Sequence, residues 1–393
     1  MGSHNIFIPP EIAEIFIQYC RDDHRTLRAC SLVCKQWVAS SRCHLFQSVG
    51  LTAKLGPPFL ALLGSPSGPA IGALVQSLSL DTDNALAWFI DALPAMSRFL
   101  RPRDLYLNIS DLADDKNPLR TRQDIMAFMN CFPSIQSLSL SVECGTFDLA
   151  ALISSFPALR ILHVHDVHEG IWNDPDSCRS RLAQPDALRK LIIPFDGDFQ
   201  FVQWLLLHQH PPRPARFSIQ FYPTQAKILN VYLRELGSSL EDLELTLPWG
   251  SSCYTLLNLA YIGLKKRHTE LPRHIDLTNH NRLRFVHIAA LRDLNPLPTV
   301  VHLLSQIRSD SLERIEFSLG ALLEDARRTG PWLKLDALLS GPQFSKVGKV
   351  TVVGCRRGVD RSNVRAWLPQ TNAKGVLYLT ADHRGSGPFL DIF

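Results

Sequence analysis

Apolar side chains recur with helical spacing at the start of the chain. The residues Pro9 and Pro10 are followed by Glu11, and a proline at the first helical position with an early acidic residue favours a helix start. The pattern therefore predicts a first helix that begins near Pro9. The next apolar residues have the i, i+3, i+4, i+7 spacing that places four side chains on one helix face, with Ile17 outside it. The four residues of this face are Ile12, Ile15, Phe16 and Tyr19.

Two further short helices are predicted before residue 50. Either Asp22 or Asp23 is suited to cap a second helix, which has Leu27 on its apolar side, and a third helix carries Trp37. A unit below roughly 40 residues usually needs a staple or a partner to fold. Either the rest of the chain or an outside partner must therefore cover the remaining apolar surface, and the pattern leaves both interpretations open.

Beyond residue 72 the pattern changes to short strands that alternate with helical segments. Successive strands lie roughly 24 to 35 residues apart, with one wider gap before the eighth of them. One strand and one helix per unit predict parallel strands inside and helices outside. The predicted strands centre on Leu78, Leu105, Leu138, Leu162, Leu191, Phe217, Leu243, Val286, Ile315, Val350 and Leu377. The predicted helices include residues 122–131, 147–155, 199–208 and 225–236.

The strands predict one buried face and one polar face. Alternate side chains of a strand point to opposite faces, so Leu138 and Leu140 point inward and Ser137 and Ser139 outward. A shift of one residue would exchange the two faces. On this register, the polar side chains that we consider for binding a protein target are Tyr106, His163, His165, Arg216, Glu244 and Arg314. Glycines and prolines within residues 51–72 mark a joint before the strands.

The composition is typical of an intracellular chain, in the cytoplasm or the nucleus. Its 393 residues have a net charge of +4, which is too weak to imply binding to nucleic acid or to an anionic membrane. The nine cysteines are scattered and form no Cys-x-x-Cys pair, as expected of reduced thiols. We find no pattern of a signal peptide and no run of about 18 apolar residues that predicts a membrane span.

Sequence motifs of catalysis are missing. The chain has no Gly-x-Ser-x-Gly, no phosphate-binding glycine loop and no dinucleotide fingerprint. His163 and His165, which share a strand face, suggest a metal site. We prefer to interpret them as solvated histidines, because no zinc-binding motif accompanies them. We therefore expect no cofactor, no metal and no catalysis by this chain; an enzyme on a repeat scaffold remains an alternative that needs a deep pocket.

The N-terminal residues resemble an F-box of the kind found in fungal F-box proteins. The resemblance covers residues 6–50 and rests on "IPPEIAEIFIQYC", an acidic break, "TLRACSLVCKQW" and "HLF". Ile8 and Cys20 stand where the family commonly has leucine, and both are apolar replacements of tolerable volume. The resemblance implies binding to the Skp-family adaptor, and through it to cullin. The residues that it suggests for this contact are Pro9, Ile12, Phe16, Leu27, Leu32 and Trp37.

Pro9 and Leu32 are the better interface candidates of this set, because Ile12, Phe16 and Trp37 are as readily explained as internal core. The strands after residue 72 resemble the degenerate leucine-rich-repeat region common in F-box proteins. We therefore expect an α/β fold with a three-helix F-box at 6–50, a joint at 51–72 and an irregular repeat solenoid at 73–393. The expected function is a substrate-receptor subunit of an SCF-type cullin-RING ubiquitin ligase; the alternative is an adaptor-binding scaffold without target ubiquitination.

Overall fold

The structure is a computed structural model. It describes residues 8–81, 88, 92, 94–96, 100–109, 132–142, 149–167, 187–193, 200–221, 225–247, 274–290, 297–319, 329–353 and 361–380. The chain divides into two compact units, the first comprising residues 1–147 and 155–158 and the second residues 148–154 and 159–393. Both units combine helices with parallel strands, so the predicted α/β fold class is confirmed.

The first unit begins with helices α1 (Pro10–Tyr19), α2 (His24–Cys30) and α3 (Lys35–Gln47). Pro10 lies in the first turn of α1, where the missing N–H leaves no helical hydrogen bond unmade. Asp23 caps α2, because its Oδ1 accepts hydrogen bonds from the N–H groups of Arg25 and Thr26 at 3.0 and 3.1 Å. The predicted helix start near Pro9 and the capping aspartate are both confirmed.

Parallel strands follow in the described part of the first unit. They are β1 (Ser48–Leu51), β2 (Ser77–Asp81), β3 (Asp104–Ile109) and β4 (Ser137–Val142). Strand β1 was not predicted, because only Val49 and Leu51 carry its apolar alternation, and it crosses the predicted boundary at residue 50. Helices α4 (Gly56–Leu63) and α5 (Gly68–Gly72) lie within the predicted joint, so this segment is a helical connection.

The described part of the second unit alternates strands with helices. Its strands are β5 (Ile161–Val167), β6 (Lys190–Ile193), β7 (Arg216–Gln220), β8 (Asp242–Leu247), β9 (Phe285–Ala290), β10 (Arg314–Leu319), β11 (Lys349–Val353) and β12 (Leu377–Thr380). Each pairs in parallel with the next. Its helices are α6 (Leu149–Ser154), α7 (Gln200–Leu206), α8 (Ala226–Leu236), α9 (Leu297–Gln306), α10 (Thr329–Ser340), α11 (Arg361–Trp367) and α12 (Pro369–Ala373).

All eleven predicted strands are present, and within each unit the residues on which they were centred pair across neighbouring strands. In the first unit Leu105 lies opposite both Leu78 and Leu138. In the second unit Leu243 pairs with Val286 across the wide gap in sequence. Ten of these centres are buried and Leu377 is half-buried, so the predicted register is confirmed within each unit. The helices predicted at 147–155, 199–208 and 225–236 are α6, α7 and α8, and the one at 122–131 lies outside the described residues.

Helix α8 packs against the apolar face of strand β7. Tyr232 of α8 packs its ring edge-on against Phe217 of β7, with 5.4 Å between ring centroids. Both side chains are buried, and the Tyr232 hydroxyl donates a hydrogen bond to the Pro212 carbonyl at 2.8 Å. Burial raises the pKa of Tyr232 above its usual value. The alternate side chains of β7 therefore lie on the face away from α8.

A buried carboxylate joins two helices near the C-terminal end of the described chain. Asp336 of α10 is 1% exposed. It accepts hydrogen bonds from the N–H groups of Gln370 and Thr371, both at 2.9 Å, and from the Thr371 hydroxyl at 2.7 Å. These donors lie in the first turn of α12, so Asp336 fixes the start of that helix against α10.

Candidate functional site

Two surfaces in the described residues carry side chains suited to binding a partner, one in each unit. The first lies on α1, the residues before it and the turn after α2, and we call it the helical apolar surface. Its side chains are apolar yet 39% to 86% exposed. They are Ile8, Ile12, Ile15, Phe16, Tyr19, Leu32 and Val33. The four on α1 form one stripe by their helical spacing, and exposed apolar side chains grouped in this way are typical of interaction sites.

Helix α1 turns its large apolar stripe away from its own core. The side chains that it buries are those of Ala13 and Ile17, four residues apart and therefore on one face. The stripe that begins at Ile12 and ends at Tyr19 lies on other sides of the helix and is exposed. Helix α1 contacts α3, which in turn contacts α2. The three helices thus bury few side chains between them and leave large apolar side chains exposed to solvent.

The six residues suggested for adaptor binding separate into three groups. Pro9, Ile12, Phe16 and Leu32 are exposed, and Leu32 is 86% exposed. Trp37 is half-buried. Leu27 is fully buried and so belongs to the internal core of the helices, not to their outer surface.

Four members of the helical apolar surface were not among the residues suggested for binding. Ile15 and Tyr19 were part of the predicted stripe on α1 but were not singled out for binding. Ile8 and Val33 lie next to the proposed residues Pro9 and Leu32. The shared i, i+3, i+4, i+7 spacing was the signal that identifies Ile15 and Tyr19 together with Ile12 and Phe16.

The second surface is the face of the second unit's strands that carries polar side chains, and we call it the polar strand face. Parallel pairing in register brings equivalent positions of neighbouring strands side by side. The position that begins most of these strands forms a first row. Its residues are Lys190, Arg216, Asp242, Phe285, Arg314 and Lys349. Two residues further along the strands a second row includes Ser218, Glu244, His287, Glu316, Thr351 and Tyr378.

The first row contains one ion pair and one stacked cation. Arg216 Nε lies 3.0 Å from Asp242 Oδ2. The Arg314 guanidinium lies 3.9 Å above the centroid of the Phe285 ring, within the range of a cation–π interaction. Burial raises the pKa of Asp242, an effect that the charges of Arg216 and Arg314 oppose. Burial and then repulsion from Arg216 lower the pKa of Lys190. Positive charge is therefore crowded along this row.

A hydrogen-bond chain crosses three strands beside the first row. His287 Nδ1 lies 2.9 Å from Glu244 Oε1, and His287 Nε2 lies 2.9 Å from Ser318 Oγ. Burial favours the neutral acid of Glu244, but the hydrogen bonds and charge of His287, with a hydrogen bond from Ser218, hold its pKa below the usual value. The order hydroxyl, imidazole, carboxylate also occurs in hydrolase triads. Here all these groups lie within regular strands. We therefore interpret these hydrogen bonds as a network that holds the side chains of the polar strand face in place.

The residues suggested for target binding lie on the predicted side of their strands but differ in access. In the second unit, Arg216 and Arg314 are exposed, and Glu244 and His165 are half-buried. His163 is only 2% exposed, because it is enclosed by its neighbours, so it is not available to a target. Tyr106 is half-buried on β3 of the first unit. Phe285, Lys349 and Tyr378 were not proposed, although strand alternation identifies them too.

His163 has a strongly perturbed acidity. Burial, followed by the charge of Lys190 and the neighbouring His165, lowers the pKa of His163 to about 3. Its ring lies 6.3 Å from that of His165. Among the described residues, no group of three or more His, Cys, Asp or Glu side chains is placed to hold a metal ion.

No protein-family model matches this sequence, and no curated protein is significantly similar to it. Within the described part of the chain, none of the helices combines the length and the apolar character needed to cross a bilayer.

Proposed function

We propose that this protein is a substrate-receptor subunit of an SCF-type cullin-RING ubiquitin ligase, whose N-terminal helices are an F-box that binds a Skp-family adaptor. The observation that carries the proposal is the helical apolar surface, taken together with the F-box resemblance of the same residues. A helix that buries Ala13 and Ile17 while exposing Ile12, Phe16 and Tyr19 is arranged to bind something outside its own core.

The energetics of this surface favour a partner. Burying one large apolar side chain gives roughly 1.5–3 kcal/mol, and seven such side chains are 39% to 86% exposed. Leu32 and Val33 lie in a turn and are 86% and 62% exposed, so the fold of the three helices gains little from them. Their apolar character is explained if an adaptor covers them.

In this proposal the polar strand face holds the protein target. Its rows combine cations, carboxylates and aromatic rings on regular strands, where the side chains are held by their neighbours. The contribution to ubiquitin transfer is proximity, because a bound target presents its lysines at a raised effective concentration to the ligase. The chain itself breaks and forms no bond.

Co-expression with a Skp-family adaptor tests the proposal. We expect the two proteins to co-purify, and Leu32→Asp to abolish co-purification, because a carboxylate buried against an apolar partner costs several kcal/mol. Pro9→Asp should act in the same way. Circular dichroism should remain native, since both side chains are exposed. Leu55→Asp is the matched control, because Leu55 is 54% exposed and lies outside the helical apolar surface.

Three results would contradict the proposal or narrow it. If the wild-type chain does not bind the adaptor, the F-box interpretation is wrong. If Leu32→Asp unfolds the protein, Leu32 belongs to the fold and not to an interface. If the adaptor binds but cullin does not join the complex, the protein is a scaffold outside a ligase.

A further inference from the structure

We propose that the polar strand face binds an acidic, extended protein segment that runs across the strands along the first row. This inference rests on the proposed function, since it names the chemistry of the target that the second unit would hold. It is carried by the arrangement of the cations of the first row, namely Lys190, Arg216, Arg314 and Lys349.

The first row has more positive than negative charge. Its one carboxylate, Asp242, forms an ion pair with Arg216 at 3.0 Å. In the part of the chain that the structure describes, Lys190, Arg314 and Lys349 form no ion pair. A nearby arginine, Arg284, is already bound to Glu313 at 2.9 Å and does not compete for an added anion. Three cations of the row are therefore available to carboxylates of a partner.

Three of these cations are accessible, Lys190 is half-buried, and two of them lie over an aromatic ring. Arg314 and Lys349 are exposed, and the Arg216 side chain is 65% exposed. The Arg314 guanidinium lies over the face of the Phe285 ring, and Lys349 Nζ lies 5.3 Å from the centroid of the Tyr378 ring. A side chain that is already stacked loses less conformational freedom when it binds an anion. Arginine in addition accepts a carboxylate in a bidentate geometry.

The spacing of the cations defines the segment that fits them. Lys190 and Arg216 are on adjacent strands, and so are Arg314 and Lys349. Adjacent strands lie about 4.8 Å apart, and the four strand steps between the centres of the two cation pairs correspond to about 19 Å. An extended peptide rises about 3.4 Å per residue. Acidic residues roughly six positions apart would therefore reach both pairs of cations.

The charges beside the row favour an acidic protein segment over nucleic acid. Glu244 and Glu316 occupy the second row, two residues further along the strands. A phosphate backbone carries a negative charge on every nucleotide, so these two carboxylates would repel it along its length. A peptide can place its carboxylates at the first row and neutral residues beside Glu244 and Glu316.

Fluorescence anisotropy with the full-length protein tests the inference. The probe is a fluorescein-labelled Gly/Ser peptide that carries two Glu-Glu pairs with centres roughly six residues apart. A second peptide has Gln in place of every Glu, and a single-stranded oligonucleotide of similar length is the third probe. We expect binding of the Glu peptide that weakens between 50 and 300 mM salt, and at least tenfold weaker binding of the Gln peptide, since screening and charge removal both act on these contacts.

The double variant Arg314→Glu with Lys349→Glu should weaken binding of the Glu peptide at least tenfold. The control double variant, Lys346→Glu with Arg361→Glu, makes the same change in net charge at two exposed residues outside the row and should leave binding within twofold. Equal loss in both variants would show a non-specific charge effect and overturn the inference. Equal binding of the Glu and Gln peptides, or tighter binding of the oligonucleotide, would overturn it too.

The two proposals can fail separately. Adaptor co-purification of the Arg314→Glu, Lys349→Glu variant reports on the F-box proposal alone, because these residues lie in the second unit. If the adaptor binds and the peptide does not, the acidic target is wrong and the ligase proposal stands. If the peptide binds and the adaptor does not, the polar strand face is a binding site whose role lies outside a ubiquitin ligase.

Discussion

Replacing Phe16 by alanine should weaken adaptor binding about a hundredfold without destabilising the protein. Phe16 is 59% exposed, and a phenylalanine exposes roughly 200 Å² when fully accessible. Docking would therefore bury about 120 Å² of this side chain. At about 25 cal/mol per Å² the transfer contributes about 3 kcal/mol, and each 1.4 kcal/mol changes the dissociation constant about tenfold.

Isothermal titration calorimetry of the purified full-length chain with a Skp-family adaptor measures this effect. Leu55→Ala is the control, since Leu55 is similarly exposed but lies outside the helical apolar surface. Urea denaturation should give the same free energy of unfolding for Phe16→Ala and wild type to within about 0.5 kcal/mol, as is usual for surface substitutions. An unchanged dissociation constant would refute the assignment of Phe16 to the interface. A clear loss of stability would show that Phe16 supports the fold.

Two further predictions concern stability. Asp336→Ala should lower the free energy of unfolding by about 3 kcal/mol, because it leaves three donors at the start of α12 without their acceptor; urea denaturation checks this against the exposed Asp310→Ala, and equal stability of the two variants would contradict it. His163 becomes protonated near pH 6.5 in the unfolded chain, whereas it stays neutral in the folded protein down to a pKa of about 3. The contribution of neutral His163 to the free energy of unfolding is therefore fully present above pH 6.5 and is lost as the pH falls. Between pH 7 and pH 5 this loss should be about 2 kcal/mol. It should disappear in His163→Gln but not in His210→Gln, and an unchanged pH dependence in His163→Gln would count against the shifted pKa.

Much of the strand arrangement was predictable because its signal is local. Apolar residues at Leu78, Leu105 and Leu138 mark strands whose alternation depends only on neighbouring residues. Repeats of similar length then bring equivalent positions into register, as in the pairing of Phe217 with Leu243. Strand β1 escaped prediction, because four residues with Val49 and Leu51 form a strand only by pairing with β2.

The candidate sites were predictable in their residue types but not in their exposure. Spacing alone places Ile12 and Phe16 on one face of α1, and alternation places His163 and Arg216 on one side of their strands. Neither pattern says how deeply a side chain is enclosed. Leu27, proposed for binding, is buried. Its burial could not be predicted, because it depends on which residues of the other helices pack against it.

The sequence by itself determined eleven of the described strands, their two faces and the start of α1, since all of these follow from residues close together in the chain. Only the tertiary structure decided that α1 buries Ala13 and Ile17 and turns Phe16 outward. It also decided that Lys190 and Arg314, far apart in sequence, stand in one row. The physical reason is that burial and charge crowding are properties of neighbours in space, which strand pairing and helix packing create.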